Sequence, residues 1–323
     1  MSMARPPSYA PPLAARLPSA PPRLSGEPVA LAGASMGTTW SARLALPPGV
    51  TRQQAQAAIA AALDEVVAQM STWEAGSDIS RFNRAATGWQ ALPEALFHVL
   101  SHALDLADAS GGAYDPTIGA LVDAWGFGAG PRVHEPPAAA AIAAALADCG
   151  HGRVRLDLSS IAKGYGVDRA ALALRALGVT ACLVEVGGEL RAHGVRPDGL
   201  PWRVAVEVPD ASGAHALAVP LRDQSIATSG DYRRYIEQAG RRYAHTLAPR
   251  TGKPLDNDLA SVTVIHPECM LADGLATALG VLGAAAGADY AARHDLAALF
   301  ILRGAAGHEV RATPAFAALL DRP

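Results

Sequence analysis

Cysteine and aromatic residues are scarce in this chain of 323 residues. Cys149, Cys182 and Cys269 are odd in number, widely separated, and form neither a CxxC pair nor a zinc-ligand spacing. This pattern argues against a disulfide framework and favours buried free thiols. Aromatic residues make up 5% of the chain and hydrophobic residues 50%, with alanine supplying much of the hydrophobic fraction. We therefore expect a core of alanine-rich helices packed closely on a sheet.

Long runs of like charge and of apolar residues are absent as well. The formal net charge is −3, and no run of Lys or Arg has the length of a nucleic-acid-binding patch. Nothing in the sequence therefore favours a nucleic-acid partner. No segment reaches about 18 apolar residues without a charge, a Gly or a Pro, so we expect no transmembrane helix.

The N-terminal segment, residues 1–27, is rich in Pro and predicts a disordered tail. It has neither the apolar stretch of about 7–15 residues that a secretory signal needs nor the cysteine of a lipoprotein anchor. We therefore expect a cytoplasmic protein, or a periplasmic one facing the inner membrane if the true start lies elsewhere. Residues 28–323 are predicted to form one catalytic domain.

The first half of the chain predicts one strand, three longer helices and a short helix between two loops in AYDPTIGALVDAWGFG. The alternation of residues 38–46 is typical of a half-buried strand. Thr51 is a candidate N-cap for the helical segment QQAQAAIAAALDEVVAQM. A second helix covers residues 92–110 and stops at a Gly-Gly pair, and a third covers residues 136–148. Between the first two helices, residues 71–85 are polar and predict a binding loop.

From residue 153 onward, strands dominate the pattern. RVRLDL predicts a strand that leads through a Ser-Ser turn into a helix, and TACLVEVGGELRAHG predicts one strand with a Gly-Gly kink. Further strands are predicted at WRVAVEV, HALAVPL, SIATSG, RRYAHTL, ASVTVIHP and AALFILR, with helices at LADGLATALGVLG and near residues 285–294. Because strands and helices do not alternate strictly, the pattern favours an α+β fold with mixed sheets flanked by helices.

Asp273 and Thr277 are the first candidates for a chemical role. Spaced i and i+4, they lie on one face of a helix and can give two oxygen ligands to a hard cation. The pair also has a structural interpretation. An Asp in the first turn of a helix commonly interacts with the helix dipole, and the Thr can be a packed residue.

Three further segments carry candidate groups. In LDLSSIAKGYGVD, free backbone N–H groups of the Ser-Ser turn and the ammonium of Lys163 suit a phosphate, although an ordinary capped helix explains them too. In ATSGDYRRY, residues 228–230 predict a tight turn with several hydrogen-bond donors. His245, near the end of a strand, is either structural or a general base for a hydroxyl nucleophile.

Taken in order along the chain, these and other segments resemble the ApbE family of FAD:protein FMN transferases. The motifs are SMGTTW (35–40), MSTWEAGSDISRFN (70–83), GGAYDPTIGALVDAWGFG (111–128), DLSSIAKGYGVD (157–168), EVGGELRAHG (185–194), ATSGDY (227–232), HTLAPRTG (245–252) and SVTVIHPECMLADGLATALGVLG (261–283). The resemblance runs from about residue 33 to residue 283 and implies an α+β, T-fold-related catalytic domain.

The resemblance also implies roles for individual residues. The implied FAD-binding residues are Met36, Trp73, Ala113, Tyr114, Asp115, Lys163 and Leu247. The implied ligands of Mg²⁺, or of Ca²⁺ or Mn²⁺ in its place, are Ser160, Asp273 and Thr277. His245 occupies the position of the implied base.

The implied reaction moves FMN from FAD to a Ser or Thr of an acceptor flavoprotein, usually in an Asp-Gly-x-Ser/Thr motif, and releases AMP. Two alternatives use the same site: an Mg²⁺-dependent FAD pyrophosphatase and a flavin-binding protein without turnover. The chain departs from the family pattern at Ala248, where an Asp is usual, and at Ser159-Ser160, where Gly-Gly is usual. If that Asp orients the loop or His245, turnover is reduced here.

Overall fold

The structure is a computed structural model that describes residues 27–130, 133, 135–149, 154–207, 215–230, 235–238, 241–304 and 307–320. The predicted tail, residues 1–27, lies outside the described part of the chain except for Glu27, with which the first strand begins.

The described residues form helices and strands in an irregular order, as an α+β fold requires. The helices are α1 Arg52–Met70, α2 Asp78–Arg84, α3 Glu94–Ala109, α4 Gly119–Ala124, α5 Ala139–Asp148, α6 Ala162–Ala176, α7 Cys269–Arg293 and α8 Pro314–Leu320. The strands are β1 Glu27–Ser35, β2 Thr38–Leu46, β3 Cys182–Val186, β4 Glu189–His193, β5 Trp202–Glu207, β6 His215–Leu221, β7 Ser225–Gly230, β8 Tyr235–Gln238, β9 Arg241–Ala244, β10 Leu247–Ala248, β11 Lys253–Pro254, β12 Leu259–His266, β13 Ala297–Gly304 and β14 Gly307–Ala312.

An eight-stranded sheet in the order β1-β2-β3-β4-β7-β12-β13-β14 forms the centre of the fold. Its described pairings are antiparallel. Strand β13 shows how both faces are covered. Ala298 and Phe300 face the core shared with α3 and α7, whereas Leu299 and Ile301 face the core shared with α8 and the β5–β6 ribbon. This two-sided burial explains why β12 is buried along its whole length.

Local signals correctly predicted several elements. The strand predicted at residues 38–46 is β2. Thr51 caps α1 through a capping box, because its Oγ1 accepts from Gln54 N at 3.2 Å while Gln54 Oε1 accepts from Thr51 N at 2.8 Å. Helix α3 ends as predicted, before Gly111 and Gly112, whose positive φ angles suit glycine.

Other predictions in the first half of the chain and at its middle are wrong. Of RVRLDL, the described residues 154–158 do not form a strand, because Arg155 makes just an isolated parallel bridge with Ile118. The third helix begins at Ala139 rather than residue 136. TACLVEVGGELRAHG is a hairpin instead of one kinked strand. Its two-residue loop has φ of 61° at Gly187 and 108° at Gly188, both positive as in a type I′ turn.

The remaining differences concern elements with weak local signals. Strands β1, β8, β11 and β14 and helix α8 were not predicted, and the predicted loop at residues 71–85 contains α2. These elements depend on tertiary partners more than on their own sequence pattern. The two helices predicted near the C-terminal end are confirmed as the two parts of α7, which meet at Gly283, where a φ of 79° is not helical.

Helix α7 is long and apolar enough to satisfy the length and composition of a membrane span. Of its most apolar window, 61% is buried inside the protein, where it packs on β7 and β12. A buried core helix meets the same criteria, so this observation is weak evidence for a membrane span.

Candidate active site

A cleft of about 590 Å³ lies beside the sheet, where α6, α7 and several loops meet. Most of the predicted site residues line it: Ala113, Tyr114, Asp115, Ser160, Lys163, His245, Leu247, Asp273 and Thr277. Met36 and Trp73 are not among the lining residues. Met36 packs against Gly166 of α6, and the side chain of Trp73 is largely exposed.

Helices α6 and α7 cross in close contact at the floor of the cleft. Gly164 N donates to Asp273 Oδ2 at 3.0 Å. A Cβ at Gly164 would overlap the carbonyl oxygen of Cys269, so this crossing requires glycine. Asp273 lies in the second turn of α7 and is buried, which contradicts the sequence-based expectation of a first-turn residue.

A second carboxylate fixes the start of α7. Asp168 on α6 accepts from Cys269 N at 3.1 Å and from Met270 N at 2.9 Å, and it also pairs with Arg191. These bonds satisfy two N–H groups that the first turn of a helix otherwise leaves without partners. Burial raises the pKa of Asp168, although Arg191 and the two backbone donors oppose that effect. The position of α7, and hence of Asp273 and Thr277, is therefore set from α6.

Three oxygen-bearing side chains suit a hard cation. Within the described residues, no group donates to Asp273 Oδ1 and the Thr277 hydroxyl makes no hydrogen bond. Ser160 Oγ lies 3.3 Å from the Tyr114 hydroxyl. Burial raises the pKa of Asp273, while Lys163 and the Gly164 N–H lower it. Carboxylate and hydroxyl oxygens are ligands that Mg²⁺ and Ca²⁺ accept, so these residues fit a divalent cation.

The described residues contain no cluster of three or more His, Cys, Asp or Glu that could hold a metal ion. One carboxylate and two hydroxyl groups cannot complete the coordination of Mg²⁺, which usually keeps several waters and shares substrate phosphates. The geometry therefore suits a cation that binds together with a phosphate-bearing ligand.

The Ser-Ser turn differs from the predicted phosphate cradle. Ser159 N donates to Asp157 Oδ1 at 2.8 Å, and the N–H groups of Ile161 and Ala162 donate to Leu158 O. The Gly164 N–H is bound to Asp273. The expectation of free N–H groups is therefore wrong for four residues: Ser159, Ile161, Ala162 and Gly164. The positive group of this segment that faces the cleft is the ammonium of Lys163.

Lys163 forms an ion pair with a residue that the sequence did not single out. Its Nζ lies 2.7 Å from Glu189 Oε1, at the start of β4. Burial lowers the pKa of Lys163, but Glu189, Asp273 and the hydrogen bond together raise it above its usual value. Burial raises the pKa of Glu189 to about 7, although the nearby charge of Lys163 lowers it. Lys163 is therefore protonated at neutral pH.

His245 follows β9 and lines the cleft together with Thr246, Leu247 and Pro249. Its ring stands nearly perpendicular to that of Phe127, with 6.5 Å between the ring centroids. A histidine in the wall of a cleft suits general base chemistry.

The loop after His245 is held in place by backbone acceptors. Ala248 O accepts from Gly252 N at 2.8 Å, Gly252 O accepts from Trp125 Nε1 at 2.8 Å, and Gly111 O accepts from Arg250 at 2.8 Å. The side chain of Ala248 is not part of the cleft wall. These bonds hold the loop without a carboxylate at residue 248.

The segment predicted as a tight turn at residues 228–230 is the end of β7, so that prediction is wrong. Thr228 and Ser229 pair with Thr263 and Val262 on β12, and the hydroxyls of Thr228 and Thr263 lie 2.8 Å apart. These strand residues still line the cleft.

Comparison with known proteins decides the family. Residues 36–300, most of the chain, match the ApbE family. This chain belongs to the ApbE family. It is 38% identical over 314 residues to the FAD:protein FMN transferase of Vibrio cholerae serotype O1, covering 92% of this chain and 94% of that protein. It is 36% identical to the FAD:protein FMN transferase of Haemophilus influenzae, covering 91% and 92% of the two chains.

Solved structures of ApbE proteins have the same fold. The flavin transferase ApbE from Vibrio cholerae superposes with a TM-score of 0.84 at 36% identity, covering 91% of this chain and all of the other. The apo form of the flavinyl transferase ApbE from Pseudomonas stutzeri gives a TM-score of 0.82 at 38% identity, with 92% and 98% covered. The α+β prediction is therefore confirmed.

Two acidic residues of this ApbE cleft were missed from sequence, although both lie in the quoted motifs. Asp157 accepts from Ser159 N and Oγ, as Asp115 accepts from Thr117 N and Oγ1, so two similar carboxylate turns flank the cleft. Glu189 is far from Lys163 along the chain. Its pairing with Lys163 could not be read from spacing, because the β3–β4 hairpin and α6 bring the two residues together.

Proposed function

We propose that this ApbE protein is an FAD:protein FMN transferase. It moves the FMN half of FAD to the Ser or Thr hydroxyl of an acceptor flavoprotein, in an Asp-Gly-x-Ser/Thr motif, and AMP leaves. It requires a divalent cation, Mg²⁺ or Ca²⁺ or Mn²⁺ in its place. The observation that carries the proposal is one cleft lined by hard oxygen ligands, an ammonium group and a histidine.

The floor of the cleft supports binding of a pyrophosphate. Lys163 offers a protonated ammonium, and Asp273 and Thr277 offer oxygens that fit a cation. A divalent cation bound there would neutralise charge on the pyrophosphate and make AMP a better leaving group. The part of the cleft wall that we assign to FAD also includes Ala113, Tyr114, Asp115 and Leu247. Burial raises the pKa of Tyr114, so its phenol stays neutral and can donate a hydrogen bond.

The position of His245 in the wall of the same cleft supports activation of the acceptor. His245 takes the proton of the acceptor hydroxyl as the oxygen attacks the phosphorus of the FMN half. A phosphoester bond to the acceptor forms, the phosphoanhydride bond to AMP breaks, and AMP leaves with the bridging oxygen. A base in this role contributes roughly 10²–10⁴-fold to the rate.

The test is incubation of the protein with FAD, Mg²⁺ and an acceptor domain, followed by mass spectrometry and detection of AMP. We expect an FMN-sized mass gain on the acceptor with an equal amount of AMP. AMP release without any acceptor would instead indicate an FAD pyrophosphatase. Tight FAD binding with neither product, over several acceptors and metal concentrations, would indicate a flavin-binding protein without turnover.

A further inference from the structure

Glu189 has an unsatisfied oxygen in the wall of the cleft. Its side chain is 3% exposed, and Oε1 is bound to Lys163 Nζ at 2.7 Å. Oε2 is buried and has no hydrogen-bond partner among the described residues. A buried polar atom without a partner costs about 1–3 kcal/mol, and in native proteins such atoms call for an explanation.

Hydrogen bonds fix the backbone of the hairpin that carries Glu189, and the bond to Lys163 holds its side chain. Gly187 and Gly188 form the tight loop, and Glu185 Oε1 accepts from Gly188 N at 2.7 Å. Glu185 Oε2 in turn accepts from Ser41 Oγ at 3.1 Å on the neighbouring strand β2. The unsatisfied oxygen is therefore held in position before any ligand enters the cleft.

For the ionised carboxylate, the missing partner has to be a hydrogen-bond donor. Phosphate oxygens at neutral pH are acceptors, and a second cation is disfavoured because the ammonium of Lys163 already lies against this carboxylate. A neutral hydroxyl group satisfies Oε2 without adding charge. In FAD, the ribityl chain brings hydroxyl groups directly beside the phosphate that the acceptor attacks.

We propose that Glu189 is a substrate-positioning residue whose Oε1 holds the ammonium of Lys163 and whose Oε2 accepts a hydrogen bond from a ribityl hydroxyl of FAD. This inference rests on the proposed function for the identity of the ligand. It adds that the protein recognises the sugar-alcohol chain of the flavin, and not just its pyrophosphate.

The test compares the binding of FAD with that of ADP, which has the pyrophosphate but lacks the ribityl chain. Binding is measured by calorimetry with Mg²⁺ at pH 8, above the pKa of about 7 at which Glu189 titrates. For Glu189→Gln we expect FAD affinity to fall roughly tenfold or more, the loss typical of one charge-assisted hydrogen bond. ADP affinity should stay the same or rise, because one negative charge near the pyrophosphate is lost.

Two results would overturn the inference: unchanged FAD affinity, or an equal loss for FAD and ADP. If FAD affinity were unchanged and a separate turnover assay gave a raised KM for the acceptor, the hydroxyl would belong to the acceptor. Glu65→Gln removes a carboxylate from an exposed ion pair with Arg169 and should change neither affinity. Glu189→Asp, which keeps the charge, should restore part of the FAD affinity. These binding measurements need no turnover, so they stand apart from the test for FMN transfer.

Discussion

At the residue scale, Asp273 combines two roles that can be separated by substitution. Oδ2 accepts the Gly164 N–H, and Oδ1 is the oxygen that we assign to the proposed cation. Asp273→Asn keeps an acceptor for the Gly164 N–H but loses the charge that binds the metal. We expect this variant to unfold at the temperature of the unsubstituted protein while its Mg²⁺-dependent transfer is abolished, as thermal unfolding and a Mg²⁺ titration of activity would measure.

Asp273→Ala is the matched control for the structural role. It leaves the buried Gly164 N–H without an acceptor, so we expect a loss of about 1–3 kcal/mol in the free energy of unfolding. This loss exceeds the roughly 0.3–1 kcal/mol that an exposed first-turn acid contributes, because Asp273 is buried and lies in the second turn of α7. An Asn variant with more than half of normal activity would disprove the metal role.

Ala248 tests whether the departure from the family pattern limits turnover. The loop from His245 to Pro254 is held by backbone acceptors, and the Ala248 side chain does not line the cleft. We therefore expect Ala248→Asp to change kcat by less than about threefold, equivalent to under about 0.7 kcal/mol of activation free energy. Steady-state kinetics would measure this, with Ala248→Asn as the uncharged control. A gain above tenfold would show that the missing carboxylate does orient His245.

At the element scale, the crossing of α6 and α7 leaves no room for an added side-chain atom at Gly164. Gly164→Ala pushes a methyl group into the Cys269 carbonyl and separates the helix that carries Lys163 from the helix that carries Asp273. We expect a loss of at least about 1–3 kcal/mol from overpacking, together with weaker metal dependence of activity. Urea unfolding and a Mg²⁺ titration would show both effects.

Gly280→Ala on the neighbouring helix α7 is the control, since a Cβ there meets Ser229 Oγ at the ordinary distance of 3.9 Å. It should be neutral or stabilising by up to about 1 kcal/mol, because Ala favours the helix more than Gly does. If both variants were equally stable, the close crossing would not be a constraint.

The helices and strands show which parts of the fold can be predicted from sequence and which cannot. Helix α1 and strand β2 were predicted because a capping box and an alternating pattern are encoded within a few neighbouring residues. Strand β1 was missed because it is defined by pairing with β2 along its whole length. RVRLDL looked like a strand, yet its described residues, 154–158, make one isolated bridge, between Arg155 and Ile118, and do not join the sheet. In such cases, a pairing partner distant in the chain determines whether a segment forms a strand.

The residues of the candidate site also divide into those with a local sequence signal and those whose contacts depend on distant parts of the chain. Ser160, Lys163, Asp273 and Thr277 were predicted from motifs, and the structure brings them to one cleft. The partner of Lys163 and the acceptor for the Gly164 N–H were not predictable, since both depend on how α6 packs against β4 and α7. Local motifs therefore identified the side chains of the site, whereas tertiary packing determines which of these side chains interact.

At the scale of the whole molecule, the cleft joins segments from most of the chain. Its walls come from the α3–α4 loop, α6, the β3–β4 hairpin, β5, the loop after β9, and α7. A ligand that contacts all of these binds the folded protein and not the unfolded chain. Such a ligand stabilises the fold by about 2.7 kcal/mol when its concentration is 100 times its Kd.

We therefore expect FAD with Mg²⁺ to raise the midpoint of thermal unfolding by several degrees, on the scale of about 2–4 °C per kcal/mol for large domains. FAD without a divalent cation should give a smaller shift, because the pyrophosphate then meets Asp273 without a neutralising charge. Riboflavin, which lacks the phosphates, should give almost none, and Asp273→Asn should remove the difference made by Mg²⁺. A shift that is equal with and without the cation would mean that FAD binds this cleft without a metal.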